Sequence, residues 1–278
     1  MSTQYLLLDG VLYKQALLRL YGREDDLEIE PLYAGTPWHE VADLGPILVK
    51  PGPRSALLSE ADTAPEWQGF AAMLSSSAPM VDVARHLRLL NKITDAMGNE
   101  RLLRYADPLV AWFWLNSYGA AGLKRILGPL TEWHLSAPNC SWLPQPSARK
   151  HTFSSLADAD AEPVQKLGQA QMTGLEKAYR WQLKERLYAW LQQHQPVDLA
   201  RISKEHIDAW LDERLMSAEA FGLTSERSIA IWCALSLRHG NDFTAANNGA
   251  YRQWSVRQTG RPLYTADQRL QQYYQESV

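Results

Sequence analysis

Cysteine is almost missing from this chain: Cys140 and Cys233 stand alone among 278 residues, far apart and outside any CxxC spacing. That excludes a disulfide framework and a thiolate zinc site, and it suits a reducing compartment. Charge of one sign is lacking too. The formal net charge is −3, and the stretches before and after residue 150 hold 14 basic against 16 acidic and 14 against 15 residues. Without a lysine and arginine stripe to displace counterions from phosphates, nucleic acid is not an expected partner. Long apolar runs are also absent. Leu6-Leu7-Leu8 ends at Asp9 with no basic stretch before it, and Leu109–Leu115 is broken by Asn116-Ser117. Both fall far below the roughly 18 residues of a membrane span. The expectation is a cytoplasmic protein with no membrane insertion.

Catalytic signatures are equally scarce. The chain has no GxSxG elbow, glycine-rich phosphate loop, HExxH or paired ligand spacing. The expectation is therefore no enzyme, no cofactor and no metal. His206, Asp208 and Asp212 do not share one helical face and read as a solvated surface. Arg85, His86 and Arg88 offer an anion site, against which stands the tendency of such arginines to snorkel or to pair with carboxylates. Glu60 and Asp62 read as an exposed loop rather than an acid/base pair. Asp107, ahead of Pro108, reads as a helix N-cap, with a catalytic role as the alternative.

What the chain does have is eleven tryptophans and a change of pattern along its length. Tyr5–Leu8 and Ile47–Val49 read as buried strands. Val83, Leu87 and Leu90 recur at helical spacing, and Asp107-Pro108 opens a further helix. Prolines 138, 144, 146 and 163 interrupt the pattern. Beyond them Leu175, Tyr179, Leu183, Leu187 and Leu191 mark a long helix, followed by helices starting near Ser203 and Thr224. The expected fold class is α+β: an α/β-like N-terminal domain with a mixed sheet flanked by helices, plus an all-α C-terminal lobe. The expected divisions are a domain over 1–135, a Pro/Ser-rich connection over 136–163 and a helical lobe over 164–278. Tryptophans within helices should pack the core. Trp38, Trp67 and Trp142 lie in loop-like segments and are expected to be exposed binding anchors.

Several segments add up in order. Leu7-Leu8-Asp9-Gly10, Pro31-Leu32-Tyr33-Ala34-Gly35-Thr36-Pro37 and Val41-Ala42-Asp43-Leu44-Gly45-Pro46 come first. Arg85-His86-Leu87-Arg88, Arg104-Tyr105-Ala106-Asp107-Pro108 and Leu127-Gly128-Pro129-Leu130 follow. This series resembles the bacterial type VI secretion effector adaptor family, also called effector chaperones, Tap or TEC proteins. Phe221-Gly222-Leu223-Thr224 and Leu237-Arg238-His239-Gly240 resemble the helical extension that often follows that domain. Ser75-Ser76-Ser77 departs from the pattern, since family members commonly carry a longer strand end and acidic residues there.

The resemblance implies a chaperone that holds a cognate effector and loads it onto the VgrG spike. Effector- or spike-binding candidates are Trp38, Trp67, Trp142, Arg85, Arg88 and Arg104. Asp9, Gly35, Asp43, Gly45, Pro46, Tyr105, Asp107 and Pro108 are expected to be structural. A hydrolase with a site near Asp107 and a secreted spike accessory or immunity-like binder remain the alternatives.

Overall fold

The computed structural model describes residues 2–95, 97–144, 150–158, 163, 165–245, 249–257 and 264–277. Its elements run β1 (Thr3–Asp9), α1 (Ala16–Tyr21), β2 (Leu27–Pro31), β3 (Pro46–Pro51), α2 (Leu57–Thr63), β4 (Ala71–Ser76) and α3 (Met80–Leu90). Next come β5 (Lys92–Thr94), β6 (Glu100–Leu102), α4 (Pro108–Leu115), α5 (Ala120–Leu127), β7 (Leu130–Ser136) and β8 (Lys150–Ser154). Helices complete the chain: α6 (Gln169–His194), α7 (Pro196–Leu199), α8 (Ile207–Phe221), α9 (Glu226–His239), α10 (Ala250–Arg257) and α11 (Ala266–Ser277). The class is α+β with an all-α lobe. None of the helices among the described residues is long and apolar enough to cross a membrane.

The chain divides into two compact units, Met1–Pro138 with Pro146–Ala178, and Asn139–Gln145 with Tyr179–Val278. The expected connection thus contributes to both units, and the seam also passes between Ala178 and Tyr179 within the residues of α6.

In the first unit six strands form one sheet in the order β2-β3-β1-β4-β7-β8. The sheet expected to be mixed is antiparallel at every pairing. The unbroken apolar run of β1 invites the other reading, because fully apolar strands are typical of parallel sheets covered on both sides. Here an antiparallel sheet is covered on both sides. Tyr5 and Leu7 join Leu48, Leu74, Val83, Leu87 and Trp114 on one face, and Leu6 and Leu8 join Ile47, Val49, Leu57 and Trp67 on the other. Successive side chains of a strand point to opposite faces, so one triplet of leucines serves two cores.

Two local departures follow from side-chain chemistry. β4 continues through Ser75 and Ser76, where its register with β7 shifts. The Ser76 hydroxyl donates to the Pro129 carbonyl at 2.6 Å and accepts from the Ala78 amide at 3.0 Å, which satisfies polar groups at a buried irregularity. The helix expected to start at Thr224 is capped one residue later, by the Ser225 hydroxyl, which accepts from the Ser228 amide. Thr224 and Ser225 instead give their amides and hydroxyls to Asp267.

The second unit is a helical core of Leu187, Leu191, Leu211, Leu215, Trp232, Leu270 and Tyr273, completed by Cys140 and Trp142. Burial raises both thiols, Cys140 to about 11 and Cys233 to about 12, so neither is a thiolate near neutral pH. Asp208 and Asp212, read as solvated, hold Lys184 at 2.7 and 3.0 Å, and Asp212 also accepts from Arg180 at 2.6 Å. His206 faces the Ser203 hydroxyl at 2.6 Å.

Candidate functional site

The segments around Asp9-Gly10, Tyr33, Gly45-Pro46 and Arg104–Pro108 meet at one end of the six-stranded sheet, whereas Leu130 pairs with Ser76 at the other end and His86 packs there against Gly128. Asp9 ends β1, and its Oδ1 accepts from the amides of Val11 at 2.9 Å and Leu12 at 3.0 Å, which turns the chain out of the strand. Its Oδ2 accepts from Arg104 Nη2 at 2.9 Å. Asp107 caps α4 as expected, its Oδ1 accepting from Leu109 at 3.0 Å and Val110 at 3.3 Å, with Pro108 at the first helical position. Its Oδ2 lies 3.6 Å from the same Arg104 nitrogen. One guanidinium therefore serves two buried carboxylates, while its own side chain stays 38% exposed. Burial pushes the Asp107 carboxyl upward and Asp9 adds to this, with Arg104 and the capping amides opposing.

Glycines let the backbones close around this knot. The Gly10 amide donates to the Gly45 carbonyl at 3.0 Å, and a Cβ on Gly10 would strike the Asp43 carbonyl oxygen. A Cβ on Gly45 would come within 2.5 Å of the Tyr33 ring. Pro46 pairs with Asp9 in the sheet, and its carbonyl accepts from Leu32 at 2.8 Å. Burial, with Asp9 adding and Arg104 opposing, pushes the Tyr33 hydroxyl up to about 12. Gly35 takes a left-handed φ of 70° in the exposed turn that follows, and Thr36 braces that turn by donating to the Tyr33 carbonyl at 2.7 Å. Asp43 acts through its backbone; its side chain is exposed. Tyr105 lies fully buried, its ring edge-on to Trp133 at 6.3 Å.

Beside the knot four aliphatic side chains reach solvent, next to the exposed charges of Glu40 and Asp43. Val11 and Leu12 follow Asp9-Gly10, while Val41 and Leu44 lie in the 3-10 segment His39–Leu44 that leads to Gly45. These four side chains are 41–44% or, for Leu44, 48% exposed. Trp38, half-buried, enters the same segment with its ring 5.6 Å from Tyr33. In the sequence Leu12 is spaced to share a helical face with Ala16, Leu17 and Leu20. The helix starts only at Ala16, because Asp9 holds the intervening residues in a turn, and the apolar side chains of that turn are left outside.

Other candidates fall elsewhere. Trp67 and Trp142, expected as exposed anchors, are core residues at 8% and 1% exposure. Trp67 packs against Tyr13 and Phe70 at 5.5 and 5.2 Å, and Trp142 against Tyr188 at 5.3 Å. A ring of this size stabilises most by leaving water, and a proline-bearing loop can still fold back to bury it. Arg85, His86 and Arg88 do not converge on an anion: Arg85 pairs with Asp82 at 2.9 Å, and Arg88 pairs with Glu30. His86 is buried with its ring over Gly128, donating Nε2–H to the Ile126 carbonyl at 2.7 Å, and burial lowers its pKa. Glu60 and Asp62 sit in α2 rather than a loop, held by Arg23 and Lys150.

The first unit is thus an antiparallel α+β scaffold whose motif loops are tied by one arginine and fringed by exposed apolar side chains. Residues 4–125 match the family described as Domain of unknown function (DUF4123), a span that contains every residue of the knot and its rim. No curated protein and no solved structure matches the chain.

Proposed function

We propose that this protein is a type VI secretion effector adaptor that binds a cognate effector without covalent chemistry and loads it onto the VgrG spike. The ordered motifs resemble that family, and the DUF4123 match over residues 4–125 covers all of the N-terminal series except Leu127-Gly128-Pro129-Leu130. The observation that carries the reading is the convergence of the Asp9-Gly10, Tyr33, Gly45-Pro46 and Arg104–Asp107 segments on one hydrogen-bonded end of the sheet, beside which Val11, Leu12, Val41 and Leu44 are exposed to solvent.

The physical task is reversible burial of apolar surface. A partly exposed aliphatic side chain that becomes buried contributes on the order of 1 kcal/mol, a fraction of its full transfer energy. A handful of these, set against the entropy lost on association, gives affinity of the moderate kind that permits later release. The tied loops reduce that entropy loss because they are ordered before the partner arrives. Arg104 holds the scaffold by its carboxylates, and its side chain stays 38% exposed. In this reading the protein makes and breaks no bond, and it works in the cytoplasm of the producing cell.

Co-expression with the candidate effector and spike, followed by affinity capture, tests the proposal. The unmodified protein should retain both. The double substitution Val41→Asp with Leu44→Asp should lose one of them while the melting temperature stays within a few degrees, since both side chains are already exposed. Capture of neither partner by the unmodified protein would sink the reading.

A further inference from the structure

A cleft of about 520 Å³ opens in the second unit among α6, α9 and α11. Leu187, Ala230 and Ile231 line it as buried residues, with the half-buried rings of Trp190 and Tyr274 beside them. Its charged residues are Arg186, Glu226 and Arg227. The Arg186 guanidinium donates to both oxygens of Glu226, at 2.7 and 3.1 Å, so these two charges cancel. Arg227 is exposed and has no carboxylate within ion-pair distance among the described residues. The cleft therefore joins an apolar lining to one uncompensated positive charge.

We propose that this cleft docks an amphipathic helical segment of a protein partner, large apolar side chains entering beside Trp190 and Tyr274 and an Asp or Glu at the segment's edge meeting Arg227. A groove bounded by helices accepts the apolar face of another helix, and the lone arginine favours an acidic flank. Phosphate fits less well. The amides of Thr224, Ser225 and Ser228 at the start of α9 are already taken by Asp267 and the Ser225 hydroxyl, and the Asp267 carboxylate itself occupies that helix end, which disfavours a second anion. That the segment belongs to an effector or spike protein rests on the adaptor reading; the chemistry of the cleft does not.

The test uses the full chain and a synthetic amphipathic peptide with leucine and tryptophan on one face and glutamate at its edge, beside a twin carrying lysine in place of glutamate. Calorimetry should show saturable binding of the acidic peptide, and amide shifts should appear at Ala230 and Ile231. Arg227→Glu should weaken the acidic peptide by about tenfold and improve the lysine twin, because attraction is exchanged for repulsion at a partly desolvated rim. Arg227 is exposed, so unchanged thermal unfolding confirms that the variant folds. Absence of saturable binding at millimolar peptide, equal affinity for the twins, or indifference to Arg227→Glu overturns the proposal. Failure of the adaptor reading appears separately, as loss of effector and spike capture with the peptide result intact.

Discussion

At the scale of single residues, the knot depends on contacts that allow almost no change of volume. Gly45 has an ordinary backbone, with φ of −79°, so replacing it with alanine brings no conformational strain; the cost comes from a methyl group 2.5 Å from the buried Tyr33 ring. Gly45→Ala should lower stability in urea by about 2 kcal/mol, as overpacking of a closed contact does. Gly35 presents the opposite case, a φ of 70° with open space around it, and Gly35→Ala should cost about 1 kcal/mol from backbone strain alone. Equal losses at the two positions would show that the Tyr33 ring yields.

His86 is a residue through which mild acid should act on the fold, ahead of the carboxylates of Asp212 and Asp267, which, despite desolvation, their donors hold below the ordinary carboxylate value. Its folded-state pKa lies below the ordinary value because burial disfavours the imidazolium, with the Ile126 carbonyl opposing. The unfolded chain takes up its proton near pH 6.5, before the folded one does. The histidine's contribution is therefore intact above pH 6.5 and is lost as pH falls through the depressed folded value. The slope should approach 1.4 kcal/mol per pH unit at most, for one proton. Urea titrations at successive pH values should show this slope in the unmodified protein and a flatter one in His86→Gln.

At the scale of elements, Asp107 separates two roles that sequence alone leaves open. As the cap of α4 it needs an oxygen acceptor, and its raised pKa means the site does not favour the negative charge. Asp107→Asn should therefore cost little stability and leave partner capture intact, whereas Asp107→Ala should lose about 1 kcal/mol more. Loss of function in a fully stable Asp107→Asn variant would point to chemistry at the carboxylate. The strand and helix cores were largely legible in the sequence: β1, β3, α3, the start of α4 and the long α6 lie where periodicity and capping residues put them. The 3-10 segments at His39–Leu44 and Pro65–Gly69 were not, and Trp67 became a core residue through one of them. Such segments have no periodicity of their own, and distant packing decides which of their side chains leave water.

At the scale of the whole molecule, the chain offers two surfaces of different chemistry, one in each unit. The first is a set of exposed aliphatic side chains beside a salt-bridged knot; the second is an apolar cleft in which Arg227 has no carboxylate within ion-pair distance among the described residues. An adaptor needs separable contacts for cargo and for carrier. If the two surfaces divide that work, Val41→Asp with Leu44→Asp and Arg227→Glu should abolish capture of different partners, which the same co-expression assay reads directly.

The amino-acid sequence determined by itself the α+β class with a helical lobe and showed no apolar run of the length a membrane span needs, because composition and periodicity are local quantities. Only the tertiary structure decided what the chain's segments do to one another. Arg104 can be seen to serve Asp9 as well as the nearby Asp107 only when the segment ahead of α4 is brought against the end of β1, 95 residues away in sequence. The same is true of the fates of Trp67, Trp142, Val41 and Leu44, since whether an apolar side chain is core or contact surface depends on what lies across from it.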